Sequence, residues 1–240
     1  MPAPLPDGLT LAWVGGHALR VQVAGAQAEE RGERVHALRS ALAAAQLPGV
    51  QDLVPAWDSL LVVLDEAGAG LEQLEARVAD VLAEGLHAAA LPRASRTVVL
   101  AVCTCPACAP DRDSVAAACG LPPGEVTARL LAPTYRVQLL GFAPGFPYLH
   151  GLDPRLGVPR LPSPRARVPA GSVAVAGAQA GIYPAPTPGG WRLLGRTATR
   201  LFDAQHVPPA LLAPGDHLRL EAGPHAPLAA LDRAAGARAC

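Results

Sequence analysis

The stretch Pro169-Ala170-Gly171-Ser172-Val173-Ala174-Val175-Ala176 sets turn-forming residues directly against a short β-prone run. Ser172–Ala176 is too brief for an ordinary helix and predicts a strand entered through a glycine turn. The same texture fills 141–195, which holds ten glycines and ten prolines. That density argues against long helices. Further runs at Tyr135–Leu140, Gly181–Tyr183, Trp191–Leu194 and, after Pro214-Gly215-Asp216, His217–Glu221 make the second half an all-β barrel or sandwich. Two short helices are expected ahead of it, at Asp113–Cys119 and, after Pro122-Pro123, at Gly124–Leu131.

The first half has a different rhythm. Leu9–Val14 and Ala18–Val23 flank Gly15-Gly16-His17 and predict a hairpin. Residues 27–45 carry Val35, Leu38, Leu42 and Ala45 at helical spacing, with Glu29, Glu30 and Glu33 where the dipole favours anions. Val50–Pro55 and Ser59–Leu64 read as a second strand pair around Trp57-Asp58. Residues 70–89 read as a second amphipathic helix through Leu71, Leu74, Val78, Val81 and Leu82. Thr97–Val102 is a β-branched run, hence a strand. From the second strand onward the order is βαββαβ, the split βαβ arrangement. The expected fold class is therefore α+β: a ferredoxin-like domain over 1–95, a β-barrel domain over 96–222, and an Ala-rich tail over 223–240. Pro92-Arg93-Ala94-Ser95-Arg96 marks the exit from the first domain.

Half of the 240 residues are hydrophobic, enough for a sizeable core. The formal net charge is zero, and all 20 basic residues are arginine. The missing lysine excludes Schiff-base chemistry and a P-loop of the G-x-x-x-x-G-K-[ST] type. The neutrality is an average: 1–95 holds 6 Arg against 12 acids, and 96–240 holds 14 Arg against 8. Between 136 and 200 eight arginines face Asp153 alone, which is expected to orient one of them. Seven of the nine aromatics fall between 135 and 202. Arginine enriched together with aromatics is the composition of a binding surface. The arginines are scattered among loops and the isoelectric point is about 7.0, which suits a small anion or an acidic partner face and not nucleic acid. Residues 1–7 lack the features of a signal peptide, and no run approaches the ~20 apolar residues of a membrane helix. Five cysteines, an odd number, fit a reducing cytoplasm.

The chemistry concentrates in three motifs. The first is Gly141-Phe142-Ala143-Pro144-Gly145-Phe146-Pro147-Tyr148-Leu149. The second runs from Pro159-Arg160-Leu161 through Pro164-Arg165 to Val168-Pro169-Ala170-Gly171-Ser172-Val173. The third holds Gln179, Gly181-Ile182-Tyr183-Pro184, Pro188-Gly189-Gly190-Trp191 and Gly195-Arg196-Thr197. Glycines let a backbone approach a ligand, prolines stiffen the loops, and guanidinium forks hold carboxylate or phosphate in bidentate geometry.

These motifs resemble the family of the 5-oxoprolinase B subunit, also labelled allophanate hydrolase subunit 1 or KipI-like carboxyltransferase domain. The likeness is specific across 135–216 and weaker before 95, where Pro55-Ala56-Trp57-Asp58-Ser59-Leu60-Leu61-Val62 still fits. The resemblance implies a small α/β domain followed by a cyclophilin-like barrel. It also implies a homologous C subunit, a separate A subunit, and ATP-driven opening of 5-oxoproline to glutamate. Phe142, Pro144, Gly145, Phe146 and Tyr148 match its first motif. Arg160, Arg165, Pro169, Gly171 and Ser172 match the second. Gln179, Tyr183, Pro184, Pro188, Gly189, Gly190, Trp191, Arg196 and Thr197 match the third. On that basis Arg160, Arg165 and Arg196 are the expected anion clamps, Gly189-Gly190 the backbone donors, and Tyr183 with Trp191 the walls. ATP with magnesium is expected only in the assembled complex, bound between subunits or on a partner. Other readings of the same resemblance are a carboxyltransferase component that works on urea-like amides, or a non-enzymatic inhibitor of a sensor histidine kinase.

Two departures stand out. Where the family has a His-Ser/Thr pair five residues before its conserved Tyr, this chain has Leu130-Leu131 ahead of Tyr135. Where the family has a Tyr-Gly-Gly…Gly-Pro-Asp-Leu segment, only Pro110-Asp111 survive. His150, following the first motif, is the reserve acid or base; His206 and His217 lie farther off. The altered segment also holds Cys103, Cys105 and Cys108, with Cys119 eleven residues later. Four thiols could form a tetrathiolate zinc site, but the paired Cys-x2-Cys spacing occurs once only, so the expectation is reduced thiols and no metal.

Overall fold

The computed structural model describes residues 5, 8–25, 27–65, 71–88 and 96–225. The expected exit segment up to Ser95 and the Ala-rich tail beyond His225 lie outside the described residues. By internal contacts the chain divides into two compact units, Met1–Ser95 and Arg96–Cys240.

The first unit is a four-stranded antiparallel sheet with two helices. Strands β1 (Leu9–Val14) and β2 (Ala18–Val23) pair through the glycine turn, in which Gly15 and Gly16 take φ of 61° and 74°. Helix α1 (Ala28–Ala45) ends at Gln46 in the left-handed conformation, and β3 (Val50–Pro55) and β4 (Ser59–Leu64) follow as a second hairpin. Helix α2 (Leu71–Ala88) packs on α1. Alternation on β2 and β4 sends Leu19, Val21, Val23, Leu60, Val62 and Leu64 to one face, where Val35, Leu38, Leu42, Val78 and Leu82 close the core.

The sheet order is β1-β2-β4-β3. This corrects the expected split βαβ arrangement. The strand after α2, β5 (Thr97–Cys103), does not enter this sheet; the edge beside β2 is already taken by β1. A local β-propensity at Thr97–Cys103 forecasts a strand but not its partners.

The second unit is a closed seven-stranded barrel, β10-β7-β6-β13-β5-β12-β9. Its strands are β5, β6 (Thr134–Leu140), β7 (Pro147–His150), β9 (Ser172–Ala176), β10 (Gln179–Ile182), β12 (Arg192–Thr197) and β13 (His217–Ala222). A two-stranded ribbon, β8 (Arg165–Val168) with β11 (Thr187–Gly189), lies outside the barrel order. Inward residues such as Leu100, Val102, Tyr135, Val137, Leu149, Val173, Val175, Ile182, Leu194, Leu218 and Leu220 fill the interior. Helices α3 (Arg112–Cys119) and α4 (Pro123–Leu131) add Val115, Ala116, Val126 and Leu130 to the same core. Closure removes open sheet edges, as short strands of this kind require. β13 runs parallel to β5, from His217 opposite Thr97 to Ala222 opposite Val102; every other described pairing is antiparallel. No described helix is long and apolar enough to cross a membrane.

Candidate active site

On β9, β10 and β7, residues alternate between the barrel interior and its outer surface. Val173, Val175, Ala180, Ile182 and Leu149 point in, while Ala174, Ala176, Tyr183 and Tyr148 gather in a second cluster with Phe146, Val168, Trp191 and Leu193. The motif aromatics therefore assemble on the outer face of the barrel, against Val168 at the end of β8. Phe146 sits at the centre. Its ring centroid lies 5.0 Å from Tyr148, 5.2 Å from Tyr183, 5.3 Å from Phe142 and 5.7 Å from Trp191, each edge to face.

Two glycines are required by this packing. A Cβ on Gly181 would stand 2.7 Å from Phe146 Cζ. A Cβ on Gly189 would strike Tyr183 Oη and lie 2.9 Å from Cζ. The close approach of Tyr183, beside the β11 pairing with Arg165, accounts for glycine at position 189. Burial raises the Tyr183 phenol above its ordinary pKa, opposed by a backbone hydrogen bond at Trp191 and the charges of Arg160 and Arg165.

Phe146, Tyr183 and Trp191 are buried, so they form a packed platform and not open walls. Phe142 is the exposed ring: it is 63% accessible and stands at φ 67°, unusual for a non-glycine residue. The β6–β7 loop holds it there through Ala143 N–H to Gly141 O and Phe146 N–H to Ala143 O. Leu140–Gly145 line a shallow surface depression around it.

The three expected clamps separate. Arg165 donates through Nη2 to Asp111 Oδ1 at 2.6 Å and through Nη1 to the Trp191 carbonyl at 3.3 Å. Arg196 donates through Nε to Ala170 O at 2.7 Å. Both therefore tie the fold together. Arg160 is exposed, 6.0 Å over the Trp191 ring, and has no carboxylate partner among the described residues. The adjoining Arg192 donates to Pro159 O.

Several other motif residues make bonds within the fold. Ser172 Oγ donates to Pro169 O, Gly171 N–H to Tyr183 O, and Thr197 N–H to Gly171 O, with Thr197 fully buried. These bonds knot the neighbouring ends of β9, β10 and β12. Gly145, at φ 79°, lies against Phe202 and Leu201. Gln179 opens β10 opposite Ala176, Pro188 is exposed on β11, and Gly190 O accepts from Leu161 N–H. His150 ends β7 opposite Arg136, at the other end of that strand from Phe146. Asp153 pairs with Arg129 on α4 at 2.5 Å, not with one of the eight arginines between 136 and 200. Leu130, at the family's histidine position, is completely buried in the barrel core, and its carbonyl accepts from Tyr135 Oη at 2.6 Å. That position carries no proton here.

Sequence reasoning missed two residues. Asp111 is the buried anchor of Arg165; its survival within Pro110-Asp111 was the available signal. The second is His225. Cys103, Cys105 and Cys108 converge on it, whereas Cys119 ends α3 and packs on the barrel core. The Cys105 thiol is drawn down to about 6, first by a hydrogen bond from Cys103, and burial pushes Cys108 up to about 12.

Residues 9–212 match the family model of the carboxyltransferase domain, subdomain C and D. The chain is 39% identical over 192 residues to the 5-oxoprolinase B subunit of Bacillus subtilis (strain 168), covering 76% of this chain and 79% of that one. It is 40% identical over 174 residues to the 5-oxoprolinase B subunit of Escherichia coli O157:H7, covering 72% and 78%. The crystal structure of TTHA0988 superposes with a TM-score of 0.73 at 38% identity, over 88% of this chain and 41% of that one. The chain thus spans less than half of that protein's length. The fold is that of a carboxyltransferase-type barrel protein. More narrowly, the chain belongs to the 5-oxoprolinase B-subunit family.

Proposed function

We propose that this chain is the B subunit of an ATP-dependent 5-oxoprolinase, opening 5-oxo-L-proline to L-glutamate with a homologous C subunit and an A subunit. The observation that carries the reading is Arg160. Every carboxylate among the described residues of the second unit already pairs with an arginine: Asp111, Asp113, Glu125, Asp153, Asp203, Asp216 and Glu221. Arg160 lies outside these pairs, at the edge of an aromatic platform, with the exposed Phe142 ring on another edge of the same cluster. A guanidinium fork takes the carboxylate of 5-oxoproline in bidentate fashion, and an aromatic edge takes its small ring. What this chain contributes is orientation of the lactam and exclusion of water from one side.

The same pairing pattern bears on ATP. Magnesium takes carboxylates not already engaged, and a phosphate cradle draws on a glycine-rich loop with lysine. The described residues of the second unit offer no unengaged carboxylate, and the chain has no lysine, so this unit does not fit a self-contained magnesium–nucleotide site. On this reading the nucleotide binds between subunits or on a partner. The test is reconstitution: the purified chain with its C and A partners should release glutamate and ADP from 5-oxoproline and ATP. Absence of turnover in the full mixture, with every component folded, would sink the proposal.

A further inference from the structure

Three sulfurs surround one nitrogen at the end of the barrel. Cys103 Sγ, Cys105 Sγ and Cys108 Sγ lie 3.6, 3.3 and 3.5 Å from His225 Nδ1. All four atoms fall within 4.8 Å of one another. Hydrogen bonding does not account for this convergence. One imidazole nitrogen carries either one hydrogen or one lone pair, so it satisfies one thiol and not three.

A tetrahedral metal does account for it. Zinc sits about 2.3 Å from thiolate sulfur and about 2.0–2.1 Å from imidazole nitrogen, which places sulfur and nitrogen about 3.5 Å apart along a tetrahedral edge. The three distances observed bracket that value. Soft thiolates with one imidazole select zinc over magnesium or calcium.

The fold builds the cluster from two remote segments. Cys103 is the last residue of β5. The chain then turns, with Cys108 N–H and Ala109 N–H both donating to Cys105 O, and this returns Cys108 beside Cys103. Parallel pairing of β13 with β5 carries the other segment to the same end: Ala222 faces Val102, and Gly223 N–H donates to Val102 O at 2.9 Å. A Cβ on Gly223 would stand 2.8 Å from Ala101 Cβ, so the close approach that delivers His225 needs glycine. Arg112 donates through Nη1 to Thr104 O at 3.4 Å.

We propose that Cys103, Cys105, Cys108 and His225 bind one zinc ion in a closed tetrahedral Cys3His site. Binding exchanges three thiol protons for the metal and releases them to solvent, with no redox change. All four positions are filled by protein, so the site is structural. It clamps the loop that begins at Cys103 and leads to Asp111, eight residues on, which anchors Arg165 and the Leu193 N–H. The metal therefore holds the platform's support in place without touching substrate.

The full chain, purified under reducing conditions without chelator after growth with zinc, should contain about one zinc per chain by elemental analysis. Cys119→Ser should retain it. His225→Ala and Cys105→Ser, both at accessible positions, should bind zinc at least about tenfold more weakly in competition with a chromogenic chelator, since losing even an outer-shell partner costs that much. Circular dichroism on each variant separates metal loss from unfolding. Cobalt loading should give thiolate charge-transfer and tetrahedral d–d bands that Cys105→Ser weakens. Zinc far below stoichiometric in the wild type, or equal zinc affinity in His225→Ala and wild type, overturns the proposal.

Discussion

Arg165 Nη2 meets Asp111 Oδ1 at 2.6 Å, and the other oxygen of Asp111 takes the backbone N–H of Leu193 at 2.7 Å. One nearly buried carboxylate thereby fastens β8 to β12. Asp111→Ala leaves Arg165 without its counter-charge and a strand N–H without its acceptor. The expected loss is about 3 kcal/mol in urea unfolding. Asp111→Asn keeps an acceptor for Leu193 and should lose about 1–2 kcal/mol. A loss below about 1 kcal/mol for the alanine variant would show that this pairing is not what secures β8.

Gly189 and Tyr183 form a second coupled pair. Gly189→Ala drives a methyl into the Tyr183 hydroxyl, and that ring is buried under Phe146 and Phe142. Overpacking of this kind should cost about 1–3 kcal/mol. Tyr183→Phe in the same chain removes the clashing oxygen, so the double variant should recover part of the loss. Additive losses in the thermal unfolding of the two single variants and the double would refute the contact.

Much of this architecture can be read from local sequence. The glycine hairpin at Gly15-Gly16, the strand at Ser172–Ala176 and the helix ending before Gln46 follow from turn chemistry and periodicity. What escapes local reading is partnership. Thr97–Cys103 reads as a strand wherever it pairs, and its parallel match with His217–Ala222 spans more than a hundred residues. That pairing both removes β5 from the first sheet and brings His225 to the cysteines. Strands β7 and β8 begin or lie amid prolines and read as ligand loops. At the site, motif identity finds the aromatic cluster but does not tell a structural arginine from an available one. That distinction depends on Asp111, buried far away in sequence.

Arg160 should behave differently from its two companions. Its side chain is exposed and bears on Trp191 by a cation–π contact only, so Arg160→Ala should leave the unfolding free energy within about 0.5 kcal/mol of wild type. In the reconstituted complex the same variant loses a charge-assisted bond worth about 1.5–3 kcal/mol. KM for 5-oxoproline should then rise about ten- to a hundredfold. Arg160→Lys keeps the charge but not the fork and should fall between. An unchanged KM in the alanine variant would remove Arg160 from substrate recognition.

Acid should weaken the barrel through two carboxylates. Asp153 is held below the ordinary carboxylate pKa by the Arg155 backbone N–H and then by Arg129. Asp203 is held down by the Gln205 backbone N–H and then by Arg200. A carboxyl with a lowered native pKa binds fewer protons folded than unfolded, so stability rises with pH across the interval between the two values. The contribution is complete above the unfolded pKa of about 3.9 and disappears as pH falls through the lowered native value. Asp153→Asn and Asp203→Asn should therefore be less stable than wild type near neutrality, with the gap closing below about pH 4. Urea midpoints measured across that range give the check. A gap of constant size from neutral to acid pH would mean that these residues stabilise the fold by contacts other than their charge.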